Sequence, residues 1–504
     1  MQHCETNNLT EDQTSYRQIL KATSLFGGVQ VFQILISIVR SKFIAVLLGP
    51  EGMGIAGLLT STTSLISGIT NFGLGTSAVK NVAEANGTGN TLRVSIVVTV
   101  LRRLVWITGS LGMLVTVVLA PWLSEITFGN RNYTIAFIWI SVTLLFNQLS
   151  TGQMVLLRGM QKLKDLARAS LYGSILGLLI SVPLYYLFGI DGIVPTIILS
   201  SITSLALSRY FSQKIKLQPV KVRKVRTIAE GKGMITMGFM ISLSGLITLG
   251  VSYIVRIFIS HTGGVDQVGL YNAGFAIINT YVGMIFTAMS TDYYPRLSAV
   301  AQSNEQCRQV INQQAEVALL ILSPLIMTFL VFINWVVILF YSTKFIAVSD
   351  MILWAAMGMF FKAASWSIAF IFLAKGASRL FFWNELITNI YLLAINLIGY
   401  RYWGLTGMGL SFLITYFIYF VQVFLIARNK YQYSFTGGFY KIFVFQFIFA
   451  VLCLLVVKLM HAPFSYISGS FLIAVSVMFS WREMDKRIDL KAIGTSLKKR
   501  FKSF

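Results

Sequence analysis

VALLILSPLIMTFLVFINWVVILF, residues 317–340, runs for 24 positions without a charged side chain, and its reading decides the fold. As a helix rising 1.5 Å per residue it is ~36 Å long, enough to cross the ~30 Å hydrocarbon core of a bilayer. Lipid offers a backbone no hydrogen bonds, so a lone apolar run of this length is stable there only as a helix. Working outward, comparable runs follow at 351–374, 380–400, 404–427, 441–459 and 464–481, and precede it at 268–291, 234–260, 190–209, 169–188, 134–157, 104–123, 53–78 and 22–47. The sequence therefore predicts an all-α polytopic membrane protein with about fourteen transmembrane helices. A composition of 56% hydrophobic and 12% charged residues agrees, and leaves little chain for a soluble domain.

Charge orients the spans. With both termini on the cytoplasmic side, about 33 of the 41 Lys and Arg fall in cytoplasmic segments, as the positive-inside rule requires. The same rule accounts for the net charge of +23, because no basic run alternates with aromatic residues as on a nucleic-acid-binding module. The largest contributors are KIKLQPVKVRKVR between helices 6 and 7 and the tail ending SLKKRFKSF, both expected to meet anionic headgroups. Residues 1–20 are polar and acidic and lack the basic start and cleavage site of a signal peptide.

The chain repeats itself. KFIAVLLGPEGMGIAGLL at 42–59 matches RIFISHTGGVDQVGLYNAGF at 256–275, pairing Lys42 with Arg256, Glu51 with Asp266 and Gly54 with Gly269. Six spans per unit in one orientation imply two parallel six-helix bundles related by an axis along the membrane normal. The expected organisation is a cytoplasmic tail (1–21), an N-terminal bundle (22–209), a basic cytoplasmic linker (210–233), a C-terminal bundle (234–427), two further helices (428–481) and a basic cytoplasmic tail (482–504).

The cations that stand out within predicted helices are Arg40, Lys42, Arg256 and Lys362. A cation at the bilayer centre costs at least ~2.5–3.5 kcal/mol on insertion scales, so it turns to a partner, to water or to the protein interior. Lys362 lies near mid-span, whereas the other three lie near helix ends and can snorkel. All 18 Asp and Glu are expected in loops, tails or helix end turns, with Asp292, Glu316 and Glu385 nearest the membrane boundary. Deep positive charge without deep negative charge suits an anionic substrate, whose phosphates supply the counter-charge.

Polar stripes suggest a wet cavity. Gln30, Gln33, Ser37 and Arg40 share one face of helix 1; Thr60, Thr63, Ser67 and Thr70, beside Ser64 and Asn71, line helix 2. Ser244, Thr248, Ser252 and Arg256 repeat the pattern in helix 7, and Asn272 and Asn279 stand seven residues apart in helix 8. Such residues also join transmembrane helices to one another, so both readings stay open.

Chemistry has little support. His3, His261 and His461 have no carboxylate or cysteine neighbour on a shared helix, and Cys4, Cys307 and Cys453 are too scattered for a disulfide framework or a zinc site. No phosphate-binding G-x-x-x-x-G-K-[ST] loop is present. The sequence thus predicts no catalytic residues, no metal, no cofactor and no enzyme activity, and transport driven by gradients, membrane potential or substrate supply.

KFIAVLLGPEGMGIAGLL at 42–59, TSAVKNVAEA at 76–85, VGLYNAGFAI at 268–277, YYPRLS at 293–298, TKFIAVSDM at 343–351, FFKAASW at 360–366 and LAKGASRLFFWNEL at 373–386 appear in an order that resembles the Wzx-type O-antigen flippases. These form the polysaccharide-transporter branch of the superfamily that includes the MATE multidrug exporters, and the resemblance spans nearly the whole chain. It implies alternating access around a cationic cavity in the bacterial inner membrane. The implied substrate is an undecaprenyl-pyrophosphate-linked oligosaccharide, with a polymerase and glycosyltransferases of the same pathway as possible partners. It places Lys42, Arg256 and Lys362 at basic positions of that family, and Lys80 at the cytoplasmic end of helix 2. Lys80, Asp292 and Glu385 are the candidates for gating or coupling. Competing readings are a multidrug antiporter of the same fold, a peptidoglycan-precursor flippase and, remotely, a membrane-embedded polysaccharide polymerase.

Overall fold

A computed structural model describes residue 29 and residues 32–488. The tail at 1–21, Gln30 and the residues from 489 onward lie outside the described residues. Among the described residues the chain is helical and contains no strand. In order, the helices are α1 (32–47), α2 (Gly49–Thr70), α3 (Leu74–Gly87), α4 (Thr91–Phe128), α5 (Thr134–Gly159), α6 (Leu163–Phe188), α7 (Ile193–Gln213) and α8 (Lys224–Gly263). They continue with α9 (Val265–Phe275), α10 (Met284–Ala299), α11 (Asn304–Phe340), α12 (Ser349–Ala374), α13 (Ser378–Tyr431), α14 (Gly437–Leu459) and α15 (Phe464–Ile488).

Eleven helical stretches among the described residues are long and apolar enough to cross a bilayer. Two of them are hairpins. Leu163–Gln213 turns back at the tight 3-10 turn Gly189–Gly192, where Gly189 has φ +56°, and α13 turns back at Gly404, with φ +55°. A left-handed residue in each loop is glycine because a Cβ there would crowd the backbone. Nine single stretches, four hairpin legs and α1 reproduce the fourteen expected segments. Their outward faces carry large apolar side chains such as Val118, Leu187 and Phe471, a surface suited to lipid rather than water. The protein is a multi-pass membrane protein.

The chain forms two compact units, the first ending at Gly269 and the second beginning at Leu270. α8 lies against α2, α3 and α4 of the first unit. Within this first unit, a Cβ on Gly73 would strike the Gly238 carbonyl, and one on Gly238 the Phe72 carbonyl, so α8 crosses the α2–α3 break backbone to backbone. The repeat-related glycines also meet: a Cβ on Gly269 would fall on the Pro50 carbonyl, and one on Gly54 on that of Val265. The core of the unit is built from Leu74, Ala78 and Val82 of α3, Val97, Leu101 and Val105 of α4 and Val155 of α5. In the second unit α12 packs chiefly against α13 and α11, and α14 and α15 against α11.

Several helices extend beyond their apolar windows at the polar end. The helix expected at 104 begins at Thr91, capped by the Asn90 side chain, which accepts from Leu92 N and Arg93 N. That expected at 317 begins at Asn304, capped by Ser303 accepting from Gln306 N. These caps satisfy N–H groups that the next turn cannot, so the helix continues into charged sequence. The expected helix at 53–78 is instead broken at 71–73, where Asn71 Oδ1 accepts from Gly73 N at 2.7 Å.

Two further expectations change. Much of the basic linker is held in place: α8 begins at Lys224, Arg103 of α4 donates to the Val222 carbonyl at 2.7 Å, and Arg93 pairs with Glu230. Nor are all carboxylates confined to end turns. Glu316 is buried well inside α11, accepting from Arg487 Nε at 2.8 Å and Thr436 Oγ1 at 2.9 Å. Arg487 and Lys441 also reach buried Glu483, so charges assigned to the basic C-terminal tail join α11, α14 and α15.

Candidate functional site

The helix carrying Lys362 is the most enclosed of the spans among the described residues: within Thr343–Ala374, 72% of the 18 residues of its apolar stretch are buried. Its sequence explains this, because MILWAAMGMF and AASWSIAF place small and apolar residues on nearly every face. Lys362 is the one charge between Asp350 and Lys375. Half-buried, its Nζ donates to Asn279 Oδ1 at 2.8 Å and lies 5.5 Å from the Phe412 ring centroid and 5.0 Å from that of Tyr416. No carboxylate lies within ion-pair distance of it among the described residues. A neutral amide and two ring faces hold the cation without cancelling its charge, leaving it competent to meet an anion.

Asn279 reaches Lys362 from an unusual backbone. Residues Ala276–Val282 form a π-helical turn between α9 and α10, closed by Gly283 N donating to the Ile278 carbonyl at 3.1 Å. Such turns insert an extra residue and are frequent at functional positions. Asn272, expected on the same stripe, is half-buried on α9 before the turn.

From Tyr416 the site continues into the α13 hairpin. Phe412 and Tyr416 stand 4.5 Å apart, and Tyr416 lies edge-on to Tyr419 at 6.3 Å. The Tyr419 hydroxyl donates to Glu385 Oε1 at 3.1 Å and accepts from Asn384 Nδ2 at 3.4 Å, and Gln422 Nε2 donates to Asn384 Oδ1 at 2.8 Å. Thus Glu385 sits in a network of neutral donors, seven residues into α13 and not in its end turn. Asn384, Tyr416, Tyr419 and Gln422 were absent from the expected site. The spacing of Asn384 and Thr388, and of Phe412, Tyr416 and Tyr419, carries the signal as stripes at helical period.

The remaining expected residues are placed as follows. Arg40 and Lys42 are half-buried on α1, and Arg40 Nε is enclosed without a hydrogen-bond partner among the described residues. Arg256, half-buried on α8, donates through Nη1 to the Ser252 carbonyl at 3.0 Å, one turn back. Gln33 is half-buried and Ser37 exposed. The hydroxyls of Thr60, Thr63 and Thr70 donate to the carbonyls of Ala56, Leu59 and Ile66, four residues earlier in their own helix. Ser67 is half-buried on α2, and Asn71 serves the chain break described above.

Lys80 and Asp292 are surface groups, paired with Glu84 at 3.6 Å and Arg296 at 3.8 Å respectively, contacts worth ~0–1 kcal/mol. Of the three gating or coupling candidates, Glu385 alone joins a buried network. Among the described residues no group of three or more His, Cys, Asp or Glu is arranged to hold a metal.

Comparison with known proteins agrees with the fold. A family described as polysaccharide biosynthesis protein matches residues 43–350, more than half of the chain. The lipid III flippase of Escherichia coli (strain K12) is 22% identical over 429 residues, which is 82% of this chain and 99% of that protein. Among solved structures, the lipid II flippase MurJ superposes with a TM-score of 0.69 at 14% identity, covering 92% of this chain and 99% of its own. A multidrug resistance MATE family transporter of the MOP superfamily gives 0.65 at 15% identity, covering 81% and 98%. The last two likenesses establish a shared fold.

Proposed function

Because this chain belongs to the polysaccharide biosynthesis protein family, we propose that it is a flippase for a lipid-linked saccharide bearing a pyrophosphate. It moves an undecaprenyl-pyrophosphate-linked repeat unit, of O-antigen or a related polysaccharide, from the cytoplasmic to the periplasmic leaflet of the bacterial inner membrane. The observation that carries this reading is Lys362, a cation on the most enclosed span held by Asn279 and two aromatic rings in place of a carboxylate. Arg40, Lys42 and Arg256 are the further phosphate-binding cations, and the hydroxyl and amide stripes contact sugar.

The energetics favour export. A pyrophosphate carries about two negative charges, and outward movement from a negative cytoplasm gains ~2.3 kcal/mol per charge per 100 mV if the full potential is crossed. The protein then lowers the barrier to desolvating phosphate and sugar and breaks no covalent bond. Both termini are cytoplasmic, in keeping with the basic connection at 214–226. Glu385 is the coupling group, being the carboxylate whose hydrogen-bond network adjoins Tyr416 beside Lys362.

The test is the sidedness of polyprenyl-pyrophosphate-linked saccharides in membranes of a deletion strain, complemented with the native chain or with Lys362→Ala. Accumulation in the cytoplasmic leaflet, reversed by the native chain alone, is the expected result. Accumulation of the peptidoglycan precursor instead would replace the substrate by that lipid, and unchanged sidedness of every lipid-linked saccharide would overturn the flippase reading. Rescue by both chains would remove Lys362 from the site.

A further inference from the structure

A second basic site lies on α4, away from Lys362. A groove of ≈ 780 Å³ is lined by Arg102, Arg103, Trp106, Ile107 and the start of α8 at Thr227 and Ile228. Its two arginines differ in state. Arg103 forms part of the wall, donating to the Val222 carbonyl and to Thr227 Oγ1, both at 2.7 Å. Arg102 is exposed and makes no hydrogen bond or ion pair among the described residues, so the groove is lined by two cations and no carboxylate. Like charges held together without a carboxylate are a place where an anion is favoured.

The surface leading from these cations is apolar. Ile107, Leu111, Leu114 and Val118 recur at three and four residues along α4, and Ile107, Leu114 and Val118 are 63%, 59% and 75% exposed. The stripe from 107 to 118 is ~16 Å of helix, a length suited to an acyl chain. Trp106 stands 54% exposed at its head, a residue type enriched where chains meet headgroups. Paired cations above an apolar track match one class of ligand. We propose that this groove holds an anionic glycerophospholipid, with its phosphate at Arg102 and Arg103 and an acyl chain along the Ile107–Val118 stripe. This site is independent of which saccharide the chain carries.

The test uses the full chain purified in mild detergent, with retained lipid measured by native mass spectrometry against phosphatidylglycerol and phosphatidylethanolamine at equal concentration. Phosphatidylglycerol is expected to be retained in preference. Arg102→Gln should lower its occupancy about fivefold. Arg102 makes no hydrogen bond or ion pair among the described residues, so the variant should melt with the native chain, and Arg102→Lys should retain most of the lipid. Equal retention of the two phospholipids, unchanged retention by Arg102→Gln, or displacement of phosphatidylglycerol by equimolar polyprenyl pyrophosphate would each overturn the proposal.

Discussion

Lys362 Nζ and Asn279 Oδ1 meet at 2.8 Å, so the cation of the most enclosed span is held by a group that carries no charge. Replacing that amide by a carboxylate keeps its shape and supplies the missing anion. Asn279→Asp should therefore cut transport at least ~10-fold, the scale of one charge-assisted hydrogen bond, while leaving thermal stability unchanged or raised. Leaflet sidedness of the lipid-linked saccharide, with a melting curve of the purified variant, checks both halves. Undiminished transport by Asn279→Asp would mean that the charge of Lys362 is not what the substrate meets.

Arg487 ties α15 to α11 through Glu316, and its Nη1 reaches Glu483 Oε2 at 2.7 Å. Both carboxylates are buried, but Glu483 keeps Lys441 and Lys486, so Arg487→Ala leaves Glu316 short of its cation. A loss of about 2–4 kcal/mol is expected. Glu316→Gln combined with Arg487→Met should recover part of it, which thermal unfolding of the three variants in detergent would read.

Glu385 is the carboxylate of the α13 network and receives the Tyr419 hydroxyl. In Glu385→Gln the side-chain carbonyl still accepts that bond, so folding should be retained. Transport driven by an imposed pH gradient should lose its dependence on that gradient. Tyr419→Phe removes one hydrogen bond, and a stability loss of about 1 kcal/mol with the pH response preserved is expected. A Glu385→Gln variant that follows the gradient like the native chain would exclude this carboxylate from coupling.

The glycines make a graded set. A Cβ on Gly269 has the Pro50 carbonyl in its way, whereas one on Gly245 meets nothing within 4 Å. Gly269→Ala should cost about 1–3 kcal/mol by overpacking. Gly245→Ala, in the interior of α8, should instead stabilise by up to ~1 kcal/mol. Opposite shifts in melting temperature are the result to look for.

The proposed orientation is open to chemical labelling. A cysteine at Lys216, which precedes α8, should react with a membrane-impermeant thiol reagent in inverted vesicles and not in intact spheroplasts. Labelling in spheroplasts would invert the topology.

The spans were legible because a bilayer imposes a length and a polarity on each, and 317–340 meets both without help from its neighbours. Polar extensions were missed by an apolar window, although the Asn90 and Ser303 caps stand in the sequence as helix starts. Lys362 was legible as a charge out of place. Its partners at Phe412 and Tyr416 were not, because the register of the α13 hairpin against α12 is set by packing and no local pattern states it. The hydroxyls of the α2 stripe, Thr60, Thr63 and Thr70, all donate to their own helix, which a residue pattern alone does not reveal.

The π-helical turn at Ala276–Val282 has a consequence of its own. Seven residues in an unbroken α-helix return almost to the starting direction, but a turn with one residue more per loop arrives out of phase. Asn272 and Asn279 therefore point along different bearings despite their spacing. Deleting one residue within 276–282 would restore α-helical phase and rotate α9 by about 100° relative to α10. Neighbours on one side of the turn would be exchanged for others while the composition of the helix stayed almost the same.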